Sequence, residues 1–313
     1  MHHLYYLLLR CEGLGLPVGP LDERVDSRPT KFTRIVPAEP ERASVFPRAT
    51  TLDDVRSIFS LGAAAPWGSD PDGPFRQLYA HIQRVAALEV RAPTAARIAG
   101  AEDMPGDCAT PLHAFRALEE LGLCGVDPSE LVGWERLCIQ LRALRCTYMQ
   151  LADITDLFVG LVRRDWRGAA PGHELPAAAW HALRYVDLSH NELTFVPESA
   201  LAPLSALTHL DLSSNLLNAI PPALAELPAL RTLSVADNMI DSVLGIYALI
   251  PHVRRLSLRG NRLESLCGLE RLAALTEVDL RDNRITDAGE VGRLAQIPGL
   301  AGVWVAPNPL TAL

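Results

Sequence analysis

Leucine and other aliphatic residues recur in the second half of the chain in a fixed order, and each recurrence brings back an asparagine. The pattern LxxLxLxxN, with Val or Ile allowed at Leu positions, occurs six times between residues 183 and 313, for example as VRRLSLRGNRL from Val253. Apolar and polar positions alternate within each copy, which predicts a short β-strand with one buried side and one solvent-facing side. The asparagines are 22 to 25 residues apart, so one short return segment is predicted between parallel strands.

The repeated asparagines are predicted to have a structural role. A sharp turn after each strand leaves buried backbone N–H and C=O groups without strand partners, and an asparagine side chain supplies two donors and one acceptor at short reach. Of the seven asparagines in the chain, only Asn218 lies outside this position. The predicted ladder consists of Asn191, Asn215, Asn238, Asn261, Asn283 and Asn308.

The leucine pattern continues upstream without the asparagine. LEELGLCGVDP from Leu118 and LRALRCTYMQL from Leu141 predict two further strands, which makes eight coils. VAALEVRAP from Val85 predicts an earlier strand and a ninth coil.

Helical patterns lie between these upstream strands. One helix is predicted from Pro74, and a second over residues 131–137 with Asp127 as its N-cap and Pro128 in its first turn. A third is predicted near residues 150–166.

Three segments follow from these patterns. Residues 1–73 are rich in Pro and Gly and are expected to be largely irregular, with a short helix from Thr51. Residues 74–182 are predicted to form helical and degenerate leucine-rich coils, and residues 183–313 to form regular repeats. The predicted fold is an α/β solenoid, a horseshoe with a parallel concave β-sheet of about eight coils.

The pattern resembles the leucine-rich repeat family. Within it, LRGNRLESLCGLERL from Leu258, DLRDNRITDAGEVGRL and WVAPNPL are similar to the N-terminal repeats of serine/threonine-protein kinase 11-interacting protein and, more distantly, of nischarin. The resemblance implies a non-enzymatic cytoplasmic scaffold or adaptor whose concave face binds a signalling protein, such as a serine/threonine kinase. It transfers no contact residue and leaves membrane recruitment open.

The resemblance to leucine-rich repeat proteins also allows two alternative functions. A regulatory subunit of a phosphatase is one alternative, and a protein-binding component of a ribonucleoprotein is another, because the closing NPL coil resembles a spliceosomal leucine-rich subunit. Members of the family continue beyond their repeats, so a longer natural product or self-association through the last coil is expected.

Charge, hydropathy and cysteine content limit the partners and the location that the sequence allows. The net charge of −8 argues against direct binding of nucleic acid, whose backbone is engaged by clustered Lys and Arg. No apolar run approaches the roughly 20 residues that span a bilayer. Six cysteines without a CxxC pair predict reduced core residues in an intracellular protein.

No sequence motif for catalysis occurs with the neighbouring residues that its chemistry requires. Gly13-Leu14-Gly15 is followed by prolines where a phosphate-binding helix would begin, and no P-loop, HExxH or GxSxG motif is present. His209 beside Asp211 offers a base with an acid, but an open sheet excludes no water. No catalytic, cofactor-binding or metal-binding residue is therefore predicted.

The strand positions that face solvent are the candidate protein-binding site. Arg255, Arg259 and Arg281 are expected close together with Trp304, and arginine and tryptophan are enriched at interface hot spots. The other candidates on this face are Tyr185, Asp187, His209 and Asp211. Three alternatives remain: a face that binds nothing, arginines occupied by Glu277 and Asp279, and an indole that folds over the open end.

Overall fold

The chain is described by a computed structural model that covers residues 2–21, 50–51, 73–91, 109–149, 154–166, 175–176 and 178–311. Two compact units are present. The first comprises Met1–Met149 and Leu161–Leu175, and the second comprises Gln150–Gly160 and Pro176–Leu313. The segment boundaries predicted at residues 73 and 182 remain predictions.

The first unit contains parallel strands whose apolar residues alternate with polar ones. Their bounds are β1 (Thr50–Thr51), β2 (Ala87–Arg91), β4 (Glu120–Cys124) and β6 (Ala143–Thr147), paired in that order. A separate parallel pair consists of β3 (Thr110–Pro111) and β5 (Leu131–Val132). Strand β2 is the one predicted as the ninth coil, and its Leu88 and Val90 are buried as the alternation requires.

The helices of the first unit differ in part from the prediction. They are α1 (His2–Gly13), α2 (Gly73–Ile82), α3 (Trp134–Gln140) and α4 (Leu161–Asp165), with a 3-10 turn at Pro128–Glu130. Helix α1 was not predicted, because residues 1–73 were expected to be largely irregular. The helix predicted from Thr51 lies outside the described residues, except that Thr51 itself belongs to β1.

The helix predicted over residues 131–137 was wrong at its start. Asp127 does cap, since its carboxylate accepts a 2.8 Å hydrogen bond from the Ser129 N–H, but it caps only the 3-10 turn. The chain then enters β5, and α3 begins at Trp134 after Gly133, whose φ of 111° only glycine adopts easily.

A distant carboxylate fixes the beginning of α3. Asp165 Oδ2 accepts hydrogen bonds from the Gly133 and Trp134 N–H groups at 2.8 and 2.9 Å, and Asp165 Oδ1 pairs with Arg164 Nε at 2.8 Å. The side chain of Asp165 is 2% exposed. It therefore supplies the cap that the local sequence lacks.

The second unit is a regular stack of parallel strands. In chain order they are β7 (Tyr185–Asp187), β8 (His209–Asp211), β9 (Thr232–Ser234), β10 (Arg255–Ser257), β11 (Glu277–Asp279) and β12 (Gly302–Trp304), and each pairs with the next in register. Helical return segments alternate with the strands. These are α5 (Glu198–Leu201), α6 (Ile246–Leu249), α7 (Ala288–Arg293) and 3-10 turns at Ala202–Leu204, Pro222–Glu226, Leu269–Arg271, Leu294–Gln296 and Pro309–Thr311. The predicted α/β leucine-rich repeat solenoid is confirmed.

The helix predicted near residues 150–166 is present as two sections. In the second unit it is a π-helical turn, Asp156–Gly160, and the residues that follow it in the chain form α4. Trp180 anchors the π-helical turn, because its indole N–H donates to the Phe158 carbonyl at 2.8 Å and the two rings meet edge to face at 5.5 Å.

The core of the second unit consists of the repeated aliphatic residues. The inward residue at the centre of each strand is almost fully buried from Val186 to Val278, whereas Val303 in the last coil is 39% exposed. The last strand therefore carries an apolar side chain without the cover that a following coil gives to its neighbours.

Cysteine placement corrects one expectation. Cys11, Cys138 and Cys146 are buried, as predicted for core residues. Cys267 is exposed, because it follows Leu266 in a return segment where the side chain points away from the core. Cys108 lies outside the described residues.

Candidate functional site

Three rows of side chains cross the open face of the β7–β12 sheet, which we call the strand face. Parallel pairing aligns Tyr185 with His209, Thr232, Arg255, Glu277 and Gly302 in the first row. The second row is Asp187, Asp211, Ser234, Ser257, Asp279 and Trp304. The third row continues two residues further along each coil and includes Arg259 and Arg281. The strand face thus places all eight candidate residues on one surface, as the alternation predicted.

An aromatic pair begins the first row. The rings of Tyr185 and His209 stack with centroids 6.1 Å apart and planes inclined by 27°. His209 Nδ1 lies 2.8 Å from the Thr208 hydroxyl, so one ring nitrogen has a partner on the neighbouring residue. Burial and then the positive charge of Arg255 lower the pKa of His209 below its ordinary value. The partner of His209 Nδ1 is thus the Thr208 hydroxyl and not the Asp211 carboxylate considered from the sequence.

Two aspartates adjoin the aromatic pair in the second row. Asp187 and Asp211 are register partners, and each carboxylate accepts a hydrogen bond from the backbone N–H two residues later, at 3.0 and 2.8 Å. Burial and then the charge of Asp187 raise the pKa of Asp211. Asp187 is only 7% exposed, which corrects the expectation of a solvent-facing carboxylate. Its short side chain folds back onto its own turn.

Two of the candidate arginines are bound by carboxylates of the same chain. Arg281 forms a two-pronged pair with Asp279, with N–O distances of 2.9 and 2.6 Å, and Arg259 Nε lies 2.7 Å from Asp282 Oδ2. Burial opposes ionisation of Asp279, but hydrogen bonds from Arg281 hold the pKa of that carboxyl below its usual value. The alternative of occupied arginines therefore holds for Arg259 and Arg281, although Arg259 uses Asp282 and not a strand carboxylate.

Arg255 and Trp304 are the candidates that remain available. Arg255 is exposed, and among the described residues no carboxylate lies within 4 Å of its guanidinium. Trp304 is 46% exposed. Its indole lies over Gly302, where a Cβ atom would approach Cη2 to 2.9 Å, so the glycine makes room for the ring.

The asparagines join successive coils through backbone hydrogen bonds. Asn261 is typical: its Oδ1 accepts from the Ile240 N–H at 3.0 Å, and its Nδ2 donates to the carbonyls of Val235, Leu258 and Arg259. All six ladder residues are at most 7% exposed. The five later ones each donate to a carbonyl of the preceding coil, whereas Asn191 donates to the Leu188 carbonyl of its own coil at 2.9 Å.

The residue before each of the first five ladder asparagines was missed as a signal. His190, Ser214, Asp237, Gly260 and Asp282 all have φ between 53° and 68°. Short polar residues and glycine tolerate this left-handed conformation best, and the aligned repeats show such residues at this position.

Two further features bear on chemistry. Among the described residues, no group of three His, Cys, Asp or Glu side chains is placed to hold a metal ion. No helix in the described ranges is long and apolar enough to cross a membrane.

Comparisons with known proteins agree with this architecture. Residues 181–240 match a leucine-rich repeat family model, and residues 274–289 match a second one. An uncharacterized leucine-rich repeat-containing protein of Schizosaccharomyces pombe is 26% identical over 415 aligned positions, which cover 99% of this chain and 67% of that protein. The crystal structure of internalin C2 from Listeria monocytogenes aligns with a TM-score of 0.46 at 21% identity, covering 73% of this chain and 84% of that one. Residues 181–240 and 274–289 therefore carry leucine-rich repeats, which typically serve as protein-binding modules.

Proposed function

We propose that the chain is a non-enzymatic scaffold or adaptor that binds another protein on the strand face of the second unit. The observation that carries this proposal is the exposed indole of Trp304, 46% accessible on a sheet whose register brings Arg255 and the other candidates onto the same surface. Exposed tryptophan and arginine bury large areas and form forked hydrogen bonds when a partner covers them.

The proposed partner is a signalling protein, with a serine/threonine kinase as the first candidate, and the proposed location is the cytoplasm. The resemblance of the repeats from Leu258 onward to kinase-interacting proteins supports this choice. The alternatives, a phosphatase regulatory subunit and a ribonucleoprotein component, use the same protein-binding face and differ only in the partner. Identification of the partner therefore decides among the three.

The experiment compares matched variants in affinity purification with mass spectrometry. The face variant is Arg255→Glu with Trp304→Ala. The control variant is Arg262→Glu with Leu244→Ala, which reverses one arginine charge and truncates one large apolar side chain at two exposed residues away from the strand face. The proposal predicts a protein retained by the parent and by the control but lost by the face variant.

Calorimetry with the purified partner then gives the magnitude. Loss of a hot-spot pair is expected to weaken binding by about 30-fold or more, since hot-spot residues contribute about 2 kcal/mol or more each. Equal binding by the face variant and the parent, with circular dichroism showing that both are folded, would exclude the strand face as the binding site.

A further inference from the structure

Basic residues line the edge of the second unit at which its strands begin. We call this edge the basic rim and define it as the five residues that end at the first residue of each strand. These ranges are 181–185, 205–209, 228–232, 251–255, 273–277 and 298–302. All of them are described in the structure, and none was singled out as a group from the sequence.

The charges of the rim are of one sign almost throughout. Its arginines are Arg184, Arg231, Arg254 and Arg255, and its histidines are His181, His209 and His252. Glu277 is the single carboxylate residue among these six ranges. A rim of this kind contrasts with the net charge of −8 of the whole chain.

The backbone ladder places the arginines side by side. The N–H of Thr208 donates to the Arg184 carbonyl, the N–H of Arg231 to the Thr208 carbonyl, and the N–H of Arg254 to the Arg231 carbonyl, each at 2.8 or 2.9 Å. Neighbouring strands lie about 4.8 Å apart, so Arg231 and Arg254 are adjacent and Arg184 lies about 10 Å from Arg231. The repeat therefore gathers Arg184, Arg231 and Arg254 into one column, although they are spread over 71 residues of sequence, and Arg255 follows Arg254 on the same strand.

The guanidinium groups of the rim have no carboxylate of their own within reach. Among the described residues, none of the four arginines forms an ion pair within 4 Å, in contrast to Arg259, Arg281 and Arg293 in the same unit. Arg231 donates through Nη1 to the Leu230 carbonyl at 2.9 Å, and Arg184 through Nη1 to the His181 carbonyl at 2.7 Å. These bonds orient both side chains and leave Nε and Nη2 available for a forked contact.

We propose that the basic rim docks an acidic segment of the partner protein, a stretch of Asp and Glu side chains that crosses the beginnings of strands β7 to β10. This inference rests on the proposed protein-binding function and specifies the chemistry of the partner. Charge complementarity supports it, because carboxylates match the planar fork of arginine and the rim offers three such forks in one column, with Arg255 beside the last of them.

A peptide fits the rim better than a nucleic-acid backbone. A long polyanion is repelled by a chain of net charge −8 beyond the few contacts at the rim, whereas a short acidic segment needs only those contacts. The binding affinities of an acidic peptide and of a nucleic acid also depend differently on ligand length and salt concentration. One experiment can therefore separate the two ligands.

The probe is a fluorescein-labelled peptide of about 12 residues in which Glu alternates with Ala, long enough to cross strands spaced about 4.8 Å apart. Fluorescence anisotropy measures its binding to the full chain, beside a peptide with Gln in place of Glu and an oligothymidylate of similar length. The rim variant is Arg231→Glu with Arg254→Glu, neither of which is a candidate residue of the strand face. The control is Arg262→Glu with Arg284→Glu, an equal charge change at exposed residues outside the rim.

The proposal predicts that the Glu peptide binds more tightly than the Gln peptide and that binding weakens as salt is raised. The rim variant should weaken binding about tenfold, the control by less than about twofold, and Arg231→Lys with Arg254→Lys should retain most of it. Equal binding of the Glu and Gln peptides, or equal losses in the rim variant and the control, would overturn the proposal. Tighter binding of the oligothymidylate than of the Glu peptide, lost in the rim variant, would also overturn it and assign the rim to phosphates. None of these results depends on the strand-face variant, so the rim can fail while the protein-binding function stands.

Discussion

Asp187 and Asp211 lie side by side on neighbouring parallel strands, as register partners whose carboxylates both turn back to accept backbone hydrogen bonds. Burial disfavours the charged carboxylate of Asp211, and the like charge of Asp187 adds to this effect. The raised pKa of Asp211 is the consequence. The strand face therefore carries an electrostatic cost that the folded protein tolerates.

Asp211→Asn should make the second unit more stable at pH 7. In the folded chain the pKa of Asp211 lies above its ordinary value of 3.8, so ionisation destabilises the fold as pH rises through the interval between the two values. Asparagine keeps an oxygen to accept the Ser213 N–H and removes the charge. The gain should shrink as pH falls through the raised pKa and vanish below 3.8. Urea unfolding at several pH values measures it, with the exposed Asp241→Asn as control; a gain that does not depend on pH would contradict this account.

Asn261→Ala should destabilise the second unit by about 1 to 3 kcal/mol, because it leaves buried backbone groups of two coils without partners. The exposed Asn218, the asparagine outside the ladder, provides the control Asn218→Ala, expected to change the free energy of unfolding by less than about 0.5 kcal/mol. Chemical denaturation measures both. Equal stabilities of the two variants would exclude a structural role for the ladder.

The repeat could be predicted from the sequence because each strand pattern lies in consecutive residues and recurs at a nearly constant spacing. Alternation around Leu256 and Leu258 indicates a strand, and the recurring asparagine aligns the coils, so the register and the facing side of every candidate residue follow. The ion-pair partners of the side chains cannot be predicted in the same way, because they depend on side-chain rotamers. Arg259 binds Asp282, which belongs to the turn of the next coil, and nothing in the order of residues distinguishes it from Glu277 as the partner.

Features outside the repeat period were missed for a related reason. The cap of α3 is Asp165, 31 residues from Trp134, and no local pattern joins them. The basic rim was accessible in principle, because stacking the aligned repeats places Arg184, Arg231 and Arg254 in one column. Individually, each is an ordinary polar residue at the beginning of a strand.

Gly260→Ala should destabilise the second unit by about 1 to 2 kcal/mol, because the left-handed φ of +68° is unfavourable for alanine. Its Cβ would also approach Asp237 Oδ1 to 2.2 Å. Adding Asp237→Gly, since glycine tolerates the φ of 53° at that position, should therefore recover part of the loss and leave the backbone strain at residue 260. Gly292→Ala is the control, since its Cβ meets nothing within 4 Å. Thermal unfolding of these three variants and the parent measures the effect, and a stability of Gly260→Ala equal to the parent would refute the strain at this position.

Asp165→Ala should destabilise the first unit by about 1 to 3 kcal/mol, because two buried backbone N–H groups lose their acceptor, whereas Arg164 keeps its hydrogen bonds to the Ser129 and Leu131 carbonyls. The exposed carboxylate of Glu12 provides the control Glu12→Ala. Hydrogen exchange gives a local readout, with faster exchange expected at the amides of Gly133 and Trp134. Unchanged exchange at these two amides would show that Asp165 does not fix the start of α3.

Gly302→Ala should move the indole of Trp304 without unfolding the last coil. The new Cβ would lie 2.9 Å from Cη2, and since the end of the side chain can swing outward, stability should change by less than about 0.5 kcal/mol. The ring should become more exposed than its present 46%. Acrylamide quenching of tryptophan fluorescence measures this, with Trp304→Phe supplying the contribution of the other tryptophans. If Trp304 anchors a partner in its present position, Gly302→Ala should weaken binding of that partner although Trp304 itself is intact. Quenching identical to the parent would mean that Gly302 does not position the ring.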